Sequence, residues 1–197
     1  MKLSAVVQLI DGFSQAPAVG IEPRFLLDGK PCHPYAKPQA FFAFTELAEG
    51  KHRLTAIAPP FFPQDVALDV PLALPLADAI VPCRLDPGPL YPYPAGTTIV
   101  RGLVRATATN ESVAGVGVEA SYDNWRGEKR HAVTRTSDYG RYDGRYALAL
   151  VGRLAPETDV TLTFSKTGYA GATAQIRVTT ATIEPFRASP CPERLTF

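Results

Sequence analysis

Helical periodicity is almost missing from this chain of 197 residues. Only around Ala73 to Ala79 does the pattern allow a helical turn, and Pro71 and Pro75 would keep it short. Helical bundles are therefore excluded, and no glycine-rich loop opens a helix where phosphates would sit. Long hydrophobic runs are lacking as well. The most apolar stretch, Val66 to Cys83, is broken by Asp69, Asp78, Pro71, Pro75 and Pro82, which rules out a spanning helix. An excess of one charge is missing too. Twenty Lys and Arg against 19 Asp and Glu leave a net charge of +1, so no global field draws the molecule to nucleic acid or an anionic membrane. Cysteine is scarce and odd in number. Cys32, Cys83 and Cys191 lie far apart and leave at least one thiol unpaired, which suits a reducing compartment better than a disulfide scaffold. Gln8 and Asp11 interrupt the apolar run of MKLSAVVQLIDGF before a signal-peptide core could form, so cytoplasmic synthesis without export is expected, with the final location open.

Proline and glycine are plentiful, at 19 and 15 residues, and they punctuate segments that alternate apolar and polar side chains. From Val160 to Ser165, Val160, Leu162 and Phe164 alternate with Thr161, Thr163 and Ser165, the period of a strand with one buried face. Similar segments carry Val100, Gly102 and Val104, then Val116, Val118 and Ala120, then Thr136 to Tyr142, Tyr146 to Leu150 and Ala174 to Val178. In the first half the same order appears more weakly. Val7 and Leu9 come first, then Phe25 and Leu27 ending at the turn Asp28-Gly29, then Phe41, Phe42 and Phe44, and then Leu54 to Ala58. Several short strands at regular spacing favour a sandwich. Between the halves, PCRLDPGPLYPYPAG holds five prolines and neither period, which marks a boundary. The expected organisation is all-β, two tandem antiparallel β-sandwich domains of immunoglobulin-like type. The first spans residues 1–82, a proline-rich linker residues 83–97, and the second residues 98–197.

Four segments in the second half occur in a telling order. They are Val100-Arg101-Gly102-Leu103-Val104, Val113 to Val118, Thr136-Ser137-Asp138-Tyr139-Gly140-Arg141-Tyr142, and Ser165-Lys166-Thr167-Gly168-Tyr169. This series resembles the carboxypeptidase regulatory-like domain, a transthyretin-like β-sandwich. Phe42 to Leu54 looks like the aromatic strand, turn and following strand of the same family, with Pro59-Pro60-Phe61 in place of the glycine-aromatic close. The resemblance implies a soluble accessory, binding or structural module, and its pattern has no catalytic residues to carry over.

Candidate chemistry is sparse. The histidines and cysteines lack the paired short intervals of a zinc site, and Cys32 and His33, adjacent on a strand, would point to opposite faces. Asp138 and Asp143 are separated by tyrosines, glycine and arginine rather than by the alternating oxygen ligands of a calcium loop. Asp138 is expected to cap a turn, with Gly140 at positive φ. No Gly-x-Ser-x-Gly elbow or other nucleophile signature is present. No enzyme, no cofactor and no metal are expected. One departure from the family pattern stands out: SYDNWRGEKRHA, read as an inserted polar loop after Ala120, holds the lone tryptophan beside Arg126, Lys129, Arg130 and His131. Residues 91–197 carry 13 basic and 10 acidic groups, against 7 and 9 in residues 1–90, so the second half is modestly basic. Trp125, Tyr122, Arg126, Arg130 and Tyr139 are the expected contact residues, with Tyr142 and Tyr146 assigned to the core. The expected function is a non-catalytic structural or protein-interaction module within a larger assembly, such as a phage-tail-like or secretion-related particle. The alternative is a carbohydrate-binding module that stacks sugars on aromatics near Trp125.

Overall fold

The computed structural model describes residues 2–71 and 79–179; the helical turn expected near 73–79 and Cys191 fall largely or wholly outside them. The described chain is all-β and divides into two compact units, Met1–Tyr91 and Pro92–Phe197. The first unit holds β1 (Leu3–Asp11), β2 (Arg24–Leu27), β3 (Lys30–Cys32), β4 (Tyr35–Lys37), β5 (Phe41–Thr45), β6 (Gly50–Ile57), β7 (Gln64–Val70) and β8 (Ile80–Leu85). The second holds β9 (Thr98–Leu103), β10 (Gly117–Asp123), β11 (Lys129–Arg135), β12 (Arg145–Leu150), β13 (Glu157–Ser165) and β14 (Ala172–Thr179).

The first sandwich packs a sheet of order β4-β5-β1-β8 against one of order β3-β2-β6-β7. Alternation along β1 sends Val7 and Leu9 inward, where they meet Phe44, Phe25, Leu54 and Leu68 from the other strands. Each such side chain contributes about 1.5–3 kcal/mol when fully buried. Phe25 stands edge-on to Phe44, centroids 5.6 Å apart, and tilted against Phe42 at 4.9 Å. One pairing departs from the antiparallel expectation: β8 runs parallel to β1, from Val6 opposite Ile80 to Asp11 opposite Leu85. Parallel neighbours need a crossover, and here the chain makes it by passing through the other sheet before it returns.

The proline-rich stretch begins inside this sandwich instead of leaving it. Cys83 and Leu85 on β8 are fully buried in the core. Beyond them, Phe61 bridges Pro87, and the Gly88 amide donates to the Pro60 carbonyl at 3.0 Å. Tyr91 packs its ring against Phe13 and Phe61 and donates its hydroxyl to Asp11. Residues 83–91, expected to be linker, are thus bonded to the first unit. Proline is tolerated on β8 because an edge strand can spare ladder donors.

The second sandwich pairs β12 with β9 and orders its larger sheet β11-β10-β13-β14. Val118, Ala120, Val160, Leu162 and Phe164 face Val100, Tyr146, Leu148 and Leu150 across the core. The ring of Tyr146 lies over its cross-strand partner Gly102, where an added Cβ would come within 2.5 Å of the hydroxyl oxygen. Glycine is required there by the aromatic opposite it.

Strand order repeats between the units. The orders β3-β2-β6-β7 and β5-β1 of the first reappear as β11-β10-β13-β14 and β12-β9 of the second, with β4 and β8 additional to the first among the described residues. Two local expectations change. Thr136 to Tyr142 is not a strand but an irregular connection ending in a 3-10 turn at Gly140–Tyr142. The supposed inserted loop is instead a hairpin: Asp123 pairs with Lys129 and Gly117 with Arg135, so β11 is built from residues that read as polar. A strand at a sheet edge with one solvent face needs few apolar side chains, and its main chain pairs with β10 regardless of them.

Candidate interaction site at the tip of the second hairpin

Between β10 and β11 the chain turns through residues 124–128, and the turn is organised by one side chain. Asn124, only 9% exposed, accepts from the amides of Arg126 and Glu128 through Oδ1, both at 2.9 Å, and donates through Nδ2 to Glu128 at 2.8 Å. Main-chain bonds join Asn124 to Glu128 at 2.9 Å and Gly127 to Asn124 at 2.8 Å, with Gly127 at φ +76°. Positive φ at this place is what glycine supplies without steric cost. From the next residue, the Trp125 amide donates to the Arg153 carbonyl at 3.1 Å, which ties the tip to the segment after β12.

Held this way, Trp125 stays 51% exposed while most large apolar side chains of the unit are buried. Two guanidinium groups lie against its indole, Arg126 with Cζ 4.8 Å from the ring centroid and Arg153 at 5.4 Å. Both distances fall within cation–π range. The carboxylates at the tip already have cationic partners. Glu128 binds Arg130 at 2.6 Å, and Asp123 pairs with Lys129 at 3.5 Å. Among the described residues neither Arg126 nor Arg153 forms an ion pair. The tip thus presents an indole, two uncompensated cations, and Val151, 63% exposed and two positions before Arg153.

The other expected contact residues go elsewhere. Tyr122, 3% exposed, is a core residue: its hydroxyl accepts from the Val151 amide at 2.7 Å and donates to the Val151 carbonyl at 3.0 Å. Alternation along β10 explains this, because Val118, Ala120 and Tyr122 share the inward face. Burial raises the phenol above its usual value. Tyr139 is 67% exposed but sits beyond the opposite end of the hairpin, where Thr136 bonds to Val116. With about 3.3 Å per residue, β10 alone sets the two ends roughly 20 Å apart. The aromatic platform imagined from Tyr122, Trp125 and Tyr139 is therefore not assembled. In the Tyr139 connection, Gly140 has the expected positive φ, at +49°, but the side-chain bond to the Tyr139 amide comes from Ser137 at 3.1 Å rather than from Asp138.

Strand alternation also divides the basic cluster. Arg130 lies opposite Tyr122, whereas Lys129 and His131 project to the outer face, where His131 approaches Glu119 at 3.2 Å. Arg153 has no signal near Trp125 in the sequence, and only the fold places it beside the indole. Among the described residues no three His, Cys, Asp or Glu side chains gather as a metal-binding group, and no helix is long and apolar enough to cross a membrane. Cys83 is enclosed, and burial, with a smaller push from Asp86, raises its thiol to about 11.

All-β architecture in two sandwiches is the class that the strands define. No family model matches the chain, and no curated protein matches it in sequence. Solved structures do align with it. The Streptococcal ancillary pilin aligns over 94% of this chain and 61% of its own length, at 14% identity and a TM-score of 0.33. A mutant of the shaft pilin SpaA from Lactobacillus rhamnosus GG aligns over 91% and 94%, at 12% identity and a TM-score of 0.32. The Bacillus anthracis TIE protein aligns over the whole of this chain but 33% of its own, at 10% identity and a TM-score of 0.30. The chain thus spans about three-fifths of the first of these and one-third of the last.

Proposed function

We propose that this chain is a non-catalytic interaction module that docks a protein partner through the hairpin tip around Trp125, as part of a larger protein assembly. The observation that carries this reading is the single tryptophan, half exposed and fixed by bonds to its own backbone. Exposed tryptophan and arginine on a preorganised support are the side chains most often responsible for binding energy at protein interfaces. Little main-chain ordering entropy remains to be lost on docking, because bonds from Asn124 and to the Arg153 carbonyl have already fixed the turn. We further propose that the second sandwich is a divergent carboxypeptidase regulatory-like domain. In its support, the segments that resemble the family fall on β9, the entry to β10, the Gly140 connection and the β13–β14 turn.

Site-specific photo-crosslinking tests the docking reading. With benzoyl-phenylalanine in place of Trp125, a discrete protein adduct is expected from the native source, with none from the same probe at Thr173, an exposed residue of β14. Identical adducts from both positions, or none from either, would remove the reading. Carbohydrate binding is the second reading, favoured only by the exposure of the indole. Sugar stacking needs an open aromatic face, and Arg126 and Arg153 already lie against this one.

A further inference from the structure

We infer that the Trp125 tip is a receptor for an acidic peptide segment, one that sets carboxylates against Arg126 and Arg153 and an apolar side chain against Val151 and the part of the indole the two arginines leave exposed. This rests on the docking reading above and adds the chemistry of the occupant.

Charge accounting at the tip leads there. Arg130 is matched by Glu128 and Lys129 by Asp123, while Arg126 and Arg153 have no carboxylate among the described residues. Two guanidinium groups about 5 Å from one indole centroid would repel each other, and the negative ring face offsets that repulsion only in part. A carboxylate at either edge removes the rest. A guanidinium held beside an aromatic ring keeps N–H donors to spare, and the edge they form matches the two oxygens of a carboxylate. Two such edges flanking an exposed indole fit a segment in which acidic and apolar residues lie close together. Neutral glycans lack the charge, and basic segments would meet like charge.

Because Trp125 is the only tryptophan, its fluorescence reports this site alone. The probe is a short blocked peptide of repeated Glu-Leu-Glu triplets, titrated into the full chain at low ionic strength beside its Lys-Leu-Lys counterpart and a neutral oligosaccharide. A saturable change with the acidic peptide only is expected. Affinity should fall about tenfold or more in the Arg126→Gln, Arg153→Gln double variant, since charged hydrogen bonds are lost. It should also weaken several-fold as salt shortens the reach of exposed charge. Both substitutions are at exposed positions, and an unchanged circular dichroism spectrum shows that the fold is retained; the single Arg126→Gln variant serves if the double one misfolds. No saturable change at millimolar acidic peptide, equal response to the basic peptide, or an affinity indifferent to the arginine substitutions would overturn the inference. A crosslinked partner at position 125 combined with any of those results would leave docking intact and refute only the acidic occupant, whereas a response to the oligosaccharide alone would refute both.

Discussion

Two hairpins hold the same place in the strand order, β2–β3 in the first sandwich and β10–β11 in the second, and they end in opposite ways. The first closes through two residues, Asp28 and Gly29, at φ +49° and +78°. Asp28 then turns back on its own sheet. Its carboxylate accepts from the Arg53 amide at 2.8 Å and from His52 Nδ1 at 2.7 Å, while His52 Nε2 donates to the Ala48 carbonyl at 2.9 Å. The second hairpin continues into longer strands and lifts Trp125 and Arg126 outward on a turn of residues 124–128. One architecture thus tolerates a tip spent on internal bonds and a tip that leaves its indole half exposed. What separates them is where the turn side chains bond: the Asp28 carboxylate is taken up by His52 and the Arg53 amide, whereas Asn124 bonds within its own turn and leaves Trp125 and Arg126 outside it.

The sharpest way to break the comparison is to open the core of the sandwich that carries the open tip. Phe164, 2% exposed and packed edge-on to Tyr146 at 5.9 Å, should cost about 3–5 kcal/mol when replaced by alanine, measured by urea unfolding. A loss under about 1 kcal/mol would mean that the second sandwich does not depend on this layer. Next comes the bond between the tip's base and its neighbour. Tyr122→Phe removes the partner of the Val151 amide and carbonyl, and about 0.5–1.5 kcal/mol of stability should go with the hydroxyl. It should also loosen the Val151–Arg153 segment, visible as faster amide exchange at Trp125.

The closed tip should differ in being sensitive to pH. Both ring nitrogens of His52 face acceptors, so the imidazolium satisfies the clamp, and the bond to Asp28 raises its pKa above the ordinary 6.5. The same bond, with one from the Arg53 amide, lowers Asp28 below 3.8. The histidine's contribution is complete below pH 6.5 and fades as pH rises through its raised folded value. That of the aspartate is complete above pH 3.8 and fades as pH falls through its lowered folded value. The clamp is therefore fully formed between about pH 3.8 and 6.5. Urea midpoints followed from pH 5 to pH 9 should decline in the wild type, and His52→Asn should flatten that limb; parallel profiles would show that the clamp adds nothing. The smallest effect belongs to the open tip. Trp125→Ala forfeits two exposed cation–π contacts, so stability should change by about 1 kcal/mol or less while docking is abolished.

A second pair of equivalent turns shows how differently one geometry can be encoded. The β6–β7 turn runs through Pro59 and Pro60, joined by a cis bond, and closes with the Phe61 amide on the Ala58 carbonyl at 2.9 Å. The β13–β14 turn uses Gly168 at φ +84° and closes with the Tyr169 amide on the Lys166 carbonyl at 3.1 Å. Both put an aromatic at the close, Phe61 after two prolines and Tyr169 after Gly168. The outer sheet faces were not legible in the sequence. Strand register sets Tyr35, Ala43, Val6 and Ile80 in one row on the first sandwich, whereas His131, Ser121, Thr161 and Gln175 form a row on the second.

Local chemistry alone determined a great deal here: two-residue alternation, turn residues and the shortage of helical period were enough for an all-β chain in two sandwiches, because each acts over a few neighbouring residues. Tertiary structure alone decided that β10 runs on to Asp123 instead of ending in a loop after Ala120, that Tyr139 is remote from Trp125, that residues 83–91 belong to the first unit, and that Arg153 joins Arg126 at the indole. The reason is the same in each case. Which side chains meet depends on strand register and sheet order, and those are settled by the competition of every segment for one buried interior.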